Sequence, residues 1–448
     1  MSPQTLTLNP QPGRGPVVGS PDARPPARAL RVLALIPDAF GSHGGISKFN
    51  RDLLTALCAH PDCAEVVAIP RLMSEPPGPL PSKLTWATDG LGGKLRYLSA
   101  ALKVAKCKPS RQSTTLSHRR SRCPAVFSSS SPEMQPPTTN SQPSAEPSPS
   151  FDLVICGHIN LLPAAFLARR RLSRVSNPSS RGRASVPLAL FMHGIEVWDP
   201  HRSFLVRSLA RRVDAFVSVS AFTWDRFLQW ARVSVAKGFR LPNCVDLAGF
   251  QPGEKDPALL KKYGLDDKKV LMTLGRLLPG RPKGIDEVME LLPELSKEVP
   301  QVAYLVVGDG PDRGRLAAKA VQLGIGDRVA FSGRVPESEK AAHYRLADAF
   351  VMPGYGEGFG IVFLEALACG IPVLASTLDA SREALLNGEL GLLVDPRNCI
   401  ELLQGLRDVL QRPRERVPSG LEYFSFSNFV KRCHAIVDNL CPAAMPRS

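Results

Sequence analysis

Long apolar runs are missing from this 448-residue chain. None approaches the ~18 residues that a membrane-crossing helix needs, so no such helix is expected. The first thirty residues are rich in Pro, Gly and Arg and hold no apolar stretch, so a secretory leader is not expected either. Cysteine occurs ten times, yet there is no C-x-x-C pair and no Cys/His cluster at zinc-ligand spacing. That pattern fits reduced thiols of a cytoplasmic protein, used for packing or left at the surface. Acidic residues are absent from two stretches: residues 106–122 carry six Lys or Arg, and residues 169–183 carry six more. Together they supply 12 of the net charge of +15. The first 31 residues add four Arg against Asp22, which leaves the remainder balanced. A neutral core with basic additions argues against a nucleic-acid groove built into the fold. The basic stretches then read as solvated insertions, or as segments drawn to an anionic membrane surface at the inner face of the membrane.

What is present is the composition of a soluble globular protein, with 44% hydrophobic and 22% charged residues. The length suits about two or three domains. Ordered pattern starts at Leu30 with "LRVLALIP", a buried-strand run, followed by the glycine turn "DAFGSHGGI". Ile46, Phe49, Leu53 and Leu57 then recur at helical spacing. Strand, glycine turn and helix open an α/β unit that handles nucleotides or phosphates. "DLVIC", "PLALFM", "AFVSVS" and "GFRLP" continue the strands. Residues 107–150 are Ser/Pro/Thr-rich without periodicity and are expected to be disordered. Residues 173–185 are a shorter interruption of the same kind. A Pro/Gly/Asp-rich linker at 242–257 ends the first unit, and alternation restarts with "VLMTL", "VAYLVVG", "VAFSG", "AFVMPG", "IPVLAS" and "LGLLVDP". The expected fold is α/β, with two doubly wound Rossmann-like domains facing across a cleft. The expected divisions are an N-terminal extension at 1–29, domains at 30–245 and 246–420, and a C-terminal helix and tail at 421–448. A ligand should sit between the domains at the carboxyl ends of the strands.

In the second domain each of the first four strand ends leads into a polar or glycine-rich loop: "GRLLPGRPKG", "GDGPDRG", "GRVPE" and "PGYGEGFG". The first brings Arg276 and Lys283, a bidentate fork and a mobile point charge, both suited to a pyrophosphate. The stretch "EGFGIVFLEALACGIPV" places Glu357 in the fourth loop and Glu365 on the helix behind it. Gly358 and Gly360 let backbone approach a ligand. The first N–H groups of the helix, at Ile361 and Val362, form a positive terminus suited to phosphate. A carboxylate at Glu365 can accept from vicinal hydroxyls, as on a ribose, and Glu357 can do so for a sugar. A diphosphate linking nucleoside to sugar would span the two acids. A surface pair fits poorly, because so apolar a helix is expected to be largely buried and would not hide an unpartnered carboxylate.

These strings, with "YLVVGDGPDRGRL", "DRVAFSGRV" and "GLLVDP" in the second half and "GSHGGISKFNRDLL", "FMHGIEVWD", "VSVSAFTWDRF" and "LPNCVD" in the first, make the chain resemble the retaining, GT-B-fold glycosyltransferases of family four, relatives of glycogen and sucrose synthases. The resemblance covers roughly residues 30–435, insertions excepted. It implies transfer of a sugar from a nucleotide-diphosphate sugar to a hydroxyl acceptor on a glycan, lipid or small molecule. Arg276 and Lys283 would neutralise the diphosphate, and Glu365 would hold the ribose. Glu357, with the backbone of Phe359 and Gly360, would hold the transferred sugar. Backbone around Arg334 and Val335 would meet the base, and Gly44 and Gly45 would face the diphosphate from the first domain. His193 matches the family's active-site histidine, which contacts the donor sugar. Two departures stand out: Gly354 where the family often has Ser, and "STLDASREAL" where a glycine pair is common.

The resemblance also implies no cofactor beyond the nucleotide sugar as co-substrate, and no metal. The chain holds no Asp-x-Asp, the carboxylate clamp for a metal-bound nucleotide sugar in the other glycosyltransferase fold. Arg276 and Lys283 would stand in for Mg²⁺ on the leaving group. Three rival readings differ from this one in what they require of the sequence. A dehydrogenase needs G-x-G-x-x-G after the first strand of its unit, whereas "GDGPDRG" has Arg313 at the third glycine position and follows a second strand. A sugar phosphorylase or nucleotide-sugar epimerase shares the fold and differs in its products. A catalytically silent binding protein would be expected to have broken acids or a broken basic pair, and here both are intact.

Overall fold

The structure is a computed structural model that describes residues 29–106, 151–175, 185–280 and 283–442. The expectations for 1–29 and 107–150 fall outside these residues, except at Ala29. Most of the 173–185 interruption does too, although the helix Leu162–Val175 runs three residues into it.

Among the described residues, thirteen strands form two parallel sheets. The first contains β1 (Leu30–Ile36), β2 (Cys63–Pro70), β3 (Leu84–Trp86), β4 (Leu153–Cys156), β5 (Leu188–Met192), β6 (Ala215–Ser218) and β7 (Gly238–Arg240). Their order is β3-β2-β1-β4-β5-β6-β7. The second contains β8 (Lys269–Leu274), β9 (Val302–Val307), β10 (Val329–Gly333), β11 (Ala349–Met352), β12 (Val373–Ser376) and β13 (Leu392–Val394), in the order β10-β9-β8-β11-β12-β13. Both orders reverse beside the domain's first strand, and each reversal opens a crevice at the carboxyl edge.

The apolar runs follow from burial on both faces. In β1, Val32, Ala34 and Ile36 enter one core while Leu33 and Leu35 enter the opposite one. In β9, Ala303, Leu305 and Val307 face one core and Val302, Tyr304 and Val306 the other. The first of these cores is continuous between the domains, from Leu53 through Phe424 and Phe429 to Phe363. The helix Phe426–Leu440 returns from the second domain to the first. Its Phe429 meets Phe49 edge-on with ring centroids 5.7 Å apart, and His434 Nε2 donates to the Ala56 carbonyl at 2.9 Å. Beside the linker, Val245 N–H donates to the Phe424 carbonyl at 3.0 Å, so two chain crossings join the domains. The sequence reading omitted β2, β3 and the helix Lys94–Val104, which extend the first sheet and cover its edge.

Asp348 anchors β11, the strand that leads into the Glu357 loop. Its Oδ2 accepts from Val270 N–H and from Lys255 Nζ, each at 2.7 Å, which ties the start of β11 to β8. Asp348→Ala would leave that amide and a half-buried ammonium without their acceptor. It is expected to lower unfolding free energy by about 3 kcal/mol, read as a shifted urea midpoint with an unchanged slope.

Candidate active site

Loops from the two domains meet at a pair of glycines. Gly194 follows β5 with φ +150°, and a Cβ there would lie 2.7 Å from Gly358 Cα. A Cβ on Gly358 would lie 2.1 Å from the His193 carbonyl oxygen. No larger residue fits at either position without separating the loops. Two further contacts hold the approach. Ser220 Oγ donates to the Gly358 carbonyl at 2.9 Å. The Glu383 carboxylate accepts from Ala221 N–H at 2.6 Å and Phe222 N–H at 2.8 Å. Glu383, on the second domain, thus caps the helix Ala221–Ala231 of the first, a charge-assisted contact at a positive helix terminus.

His193 sits where β5 ends. Its Nε2 pairs with the Gly157 carbonyl at 2.8 Å, so Nε2 carries a proton and Nδ1 is the ring atom left for a ligand. Nδ1 is buried and has no partner. The ring stands edge-on to Phe49 at 5.0 Å, and Glu196 Oε1 accepts from His193 N–H at 2.5 Å, so Glu196 fixes the loop. His158 accepts from Asn160 N–H at 3.1 Å and caps a short helical turn. Asp38, at the end of β1, was not singled out from sequence. Burial raises its pKa against the pull of Ser47, His193 and Arg51. Among the described residues, Asp38 Oδ1, Ser42 Oγ, Asn50 Oδ1, His193 Nδ1 and Glu365 Oε1 are buried polar atoms without a hydrogen-bond partner. Such orphans are uncommon, and the first four come from the β1 and β5 ends, the glycine turn and the helix that follows it.

Gly44, with φ +109°, precedes the helix Gly45–Cys58. Neither Gly44 nor Gly45 has a heavy atom within 4 Å of a Cβ built on it, so the backbone there is open. One turn on, Lys48 donates to both oxygens of Asp52 at 2.6 Å. Burial lowers the Lys48 pKa, but Asp52, Cys244 and Glu365 together raise it above its ordinary value, so the ammonium stays charged facing the second domain. Lys48 was missed in the sequence because its acidic neighbour across the cleft is distant along the chain.

In the second domain the structure brings Lys283 to Glu357. Lys283 Nζ donates to Glu357 Oε2 at 2.5 Å, with each side chain about a quarter exposed. The Lys283 stem lies over Gly275, 3.7 Å from a Cβ built there, beside the exposed Arg276. Both cations are thus held at one strand end, with Lys283 shared between that end and Glu357. Gly360, with φ +88°, turns the chain into the helix Ile361–Ala368, which starts at Ile361 and Val362. Phe359 is buried and packs on Phe424 with centroids 5.6 Å apart.

Glu365 is 1% exposed. Its Oε2 accepts from Tyr344 Oη at 2.8 Å, and Lys340 Nζ lies 3.6 Å from Oε1. Burial raises its pKa, opposed by Lys340 and Tyr344. The sequence reading gave Glu365 to vicinal hydroxyls; here Oε2 is committed to Tyr344 and Oε1 is left without a hydrogen-bond partner. The reading of the stretch as a solvated pair is excluded by this burial. Arg334 is exposed and Val335 packs against the core beside the Gly308–Gly333 bridge.

The family model for group 1 glycosyl transferases matches residues 255–418. Over 268 residues the chain is 31% identical to a GDP-mannose-dependent monoacylated alpha-(1-6)-phosphatidylinositol monomannoside mannosyltransferase of Corynebacterium glutamicum, across 57% of this chain and 68% of that one. Over 255 residues it is 35% identical to a GDP-mannose-dependent alpha-(1-6)-phosphatidylinositol monomannoside mannosyltransferase of Mycolicibacterium smegmatis, across 54% of this chain and 66% of that one. A Mycobacterium tuberculosis protein described in the same words is 35% identical, with 59% of its length spanned. The match therefore spans less than two thirds of the length of these mycobacterial relatives. In fold the chain is similar to a glycosyltransferase of Rickettsia africae, with TM-score 0.62 and 14% identity over 93% of this chain and 100% of that one. It is also similar to the lipopolysaccharide outer core galactosyltransferase WaaB, with TM-score 0.60 and 15% identity over 91% and 99%. The two facing sheets are the GT-B fold, and the chain belongs to the group 1 glycosyl transferase family.

Proposed function

We propose that this chain is a retaining, metal-independent mannosyltransferase that moves mannose from GDP-mannose to a hydroxyl of an inositol-bearing acceptor. The observation that carries the reading is the meeting of Lys283, Glu357 and His193 on loops joined at Gly194 and Gly358, with Arg276 beside Lys283. The choice of donor and acceptor rests on the mannosyltransferase relatives and on a D-inositol 3-phosphate glycosyltransferase of Frankia alni, 37% identical over 189 residues, 39% of this chain and 46% of that one. In this reading Arg276 and Lys283 take the negative charge that grows on the leaving diphosphate, in place of a metal. The open backbone at Gly44 and Gly45 and the helix start at Ile361 and Val362 face the same group. Glu365 Oε1 accepts from the ribose, and backbone near Arg334 and Val335 meets the base. Glu357 and His193 Nδ1 accept from sugar hydroxyls and fix the ring. The acceptor hydroxyl attacks from the face that the diphosphate leaves, and a diphosphate oxygen takes its proton.

The relatives' lipid acceptors also favour peripheral association with an anionic membrane. Phe204 and Leu205 are exposed on a short helix next to exposed Arg202, Arg211 and Arg212, a pairing of apolar and basic groups suited to such a surface. Among the described residues no helix is long and apolar enough to cross a membrane.

A thermal-shift panel of GDP-mannose, UDP-glucose, UDP-galactose and UDP-N-acetylglucosamine tests the donor. At about a hundred times its dissociation constant, the donor should stabilise the protein by about 2.7 kcal/mol, with GDP-mannose giving the largest shift. A larger shift with a uridine donor would overturn the choice of base.

A further inference from the structure

The stretch 376–385, where the family resemblance leads one to look for a glycine pair, carries a buried carboxylate instead. Asp379 is 1% exposed. Its Oδ2 accepts from Glu357 N–H at 2.8 Å. Its Oδ1 accepts from Ser381 N–H at 3.0 Å and Ser381 Oγ at 2.6 Å. Ala380 N–H in turn donates to the Glu357 carbonyl at 3.2 Å. Glu357 is therefore held on both backbone sides by one turn, while its own carboxylate reaches Lys283. Burying a carboxylate without a cationic partner is unfavourable, so its retention here calls for a use.

We propose that Asp379 is a positioning residue for sugar transfer, which clamps the Glu357 backbone so that the Glu357 carboxylate stands at the reacting sugar. The inference rests on the proposed role of Glu357. All three donors around Asp379 point at the ionised form, and protonation would set an O–H against one of them. Glu357 is the charged group that faces it, with Lys283 beyond and Glu383 engaged by Ala221 and Phe222. Burial, chiefly, raises the Asp379 pKa to about 6. The clamp is then complete above that pH and lost as pH falls through it.

In Asp379→Asn the amide can serve as acceptor on one side only, so either Glu357 or Ser381 loses its partner. A small misplacement of a reacting contact can lower turnover about a hundredfold. The expected result is a kcat ten- to a hundredfold below wild type, with the dissociation constant for free GDP unchanged within about twofold, because the diphosphate contacts are made elsewhere. The wild-type kcat should also fall on the acid side with a midpoint near pH 6, and the variant should lose that limb. A variant with wild-type kcat and a wild-type acid limb would overturn the proposal. So would equal losses in kcat and GDP affinity, which indicate general damage. Should the variant not fold, a wild-type kcat independent of pH between about 5 and 7 would overturn it alone. Wild-type turnover and GDP binding are measured first. Failure of the wild type to turn over any donor in the panel counts against the proposed reaction, and only the variant and pH results bear on Asp379.

Discussion

Glu357→Gln is expected to lower kcat by about a hundredfold while free GDP binds as tightly as in wild type, or more tightly. The first half follows from the placing of Glu357 at the reacting sugar, where a lost contact that strengthens in the transition state appears in kcat. The second half follows from the Lys283–Glu357 pair. With Glu357 ionised, Lys283 divides its charge between that carboxylate and the diphosphate. Gln keeps the size and removes the charge, so the ammonium is released to the phosphate. Glu365→Gln should behave differently. The ribose does not react, so its loss should raise KM with little change in kcat, and free GDP should bind more weakly. Titration calorimetry with GDP beside steady-state kinetics separates the two. Weaker GDP binding in Glu357→Gln would contradict the sharing of Lys283.

Lys283→Ala is expected to weaken GDP binding about ten- to a hundredfold, from the loss of a charge-assisted contact of about 1.5–3 kcal/mol. It also leaves Glu357 without its cation next to an incoming diphosphate, so the loss should exceed that of Arg276→Ala, whose exposed guanidinium is screened by solvent. The double variant Lys283→Ala, Glu357→Gln should bind GDP better than Lys283→Ala alone, because the repulsion is gone. A double variant that binds GDP no better than Lys283→Ala alone would contradict that repulsion.

The fold of the second domain can be read from its sequence because each strand is a short apolar run with glycine or proline close to one end or the other, with helices of clear period between. β8 through β13 fall where those runs stand. The first domain is harder. β3 spans three residues, below the length at which alternation carries a signal, and β2 follows a turn that gives no break in composition. The helix Phe426–Leu440 announces itself by Phe429, Cys433, Ile436 and Val437 at helical spacing. Nothing local says that this face packs back on Phe49 across the domain boundary.

The candidate site divides in the same way. Glycine loops at strand ends mark Gly44, Gly45, Arg276, Lys283, Glu357 and Glu365, because loop chemistry is local. The partnerships are not local. Lys283 meets Glu357 across 74 positions. Tyr344 takes one oxygen of Glu365, and Glu383 caps a helix 162 positions away. Asp379 reads in sequence as an ordinary turn residue, and only the returning chain places it beneath Glu357.

The most direct test of the central claim is product analysis with the full chain, GDP-mannose and vesicles containing phosphatidylinositol monomannoside, with EDTA present. The account predicts GDP and mannosylated lipid in equal amounts, undiminished by the chelator and without need of inorganic phosphate, and NMR of the new bond should show the anomeric configuration of the donor kept. Activity abolished by EDTA and restored by Mg²⁺ would contradict the role given to Arg276 and Lys283. Consumption of GDP-mannose only when phosphate is supplied, or its conversion to an epimer with no transfer, would contradict the transferase reading itself.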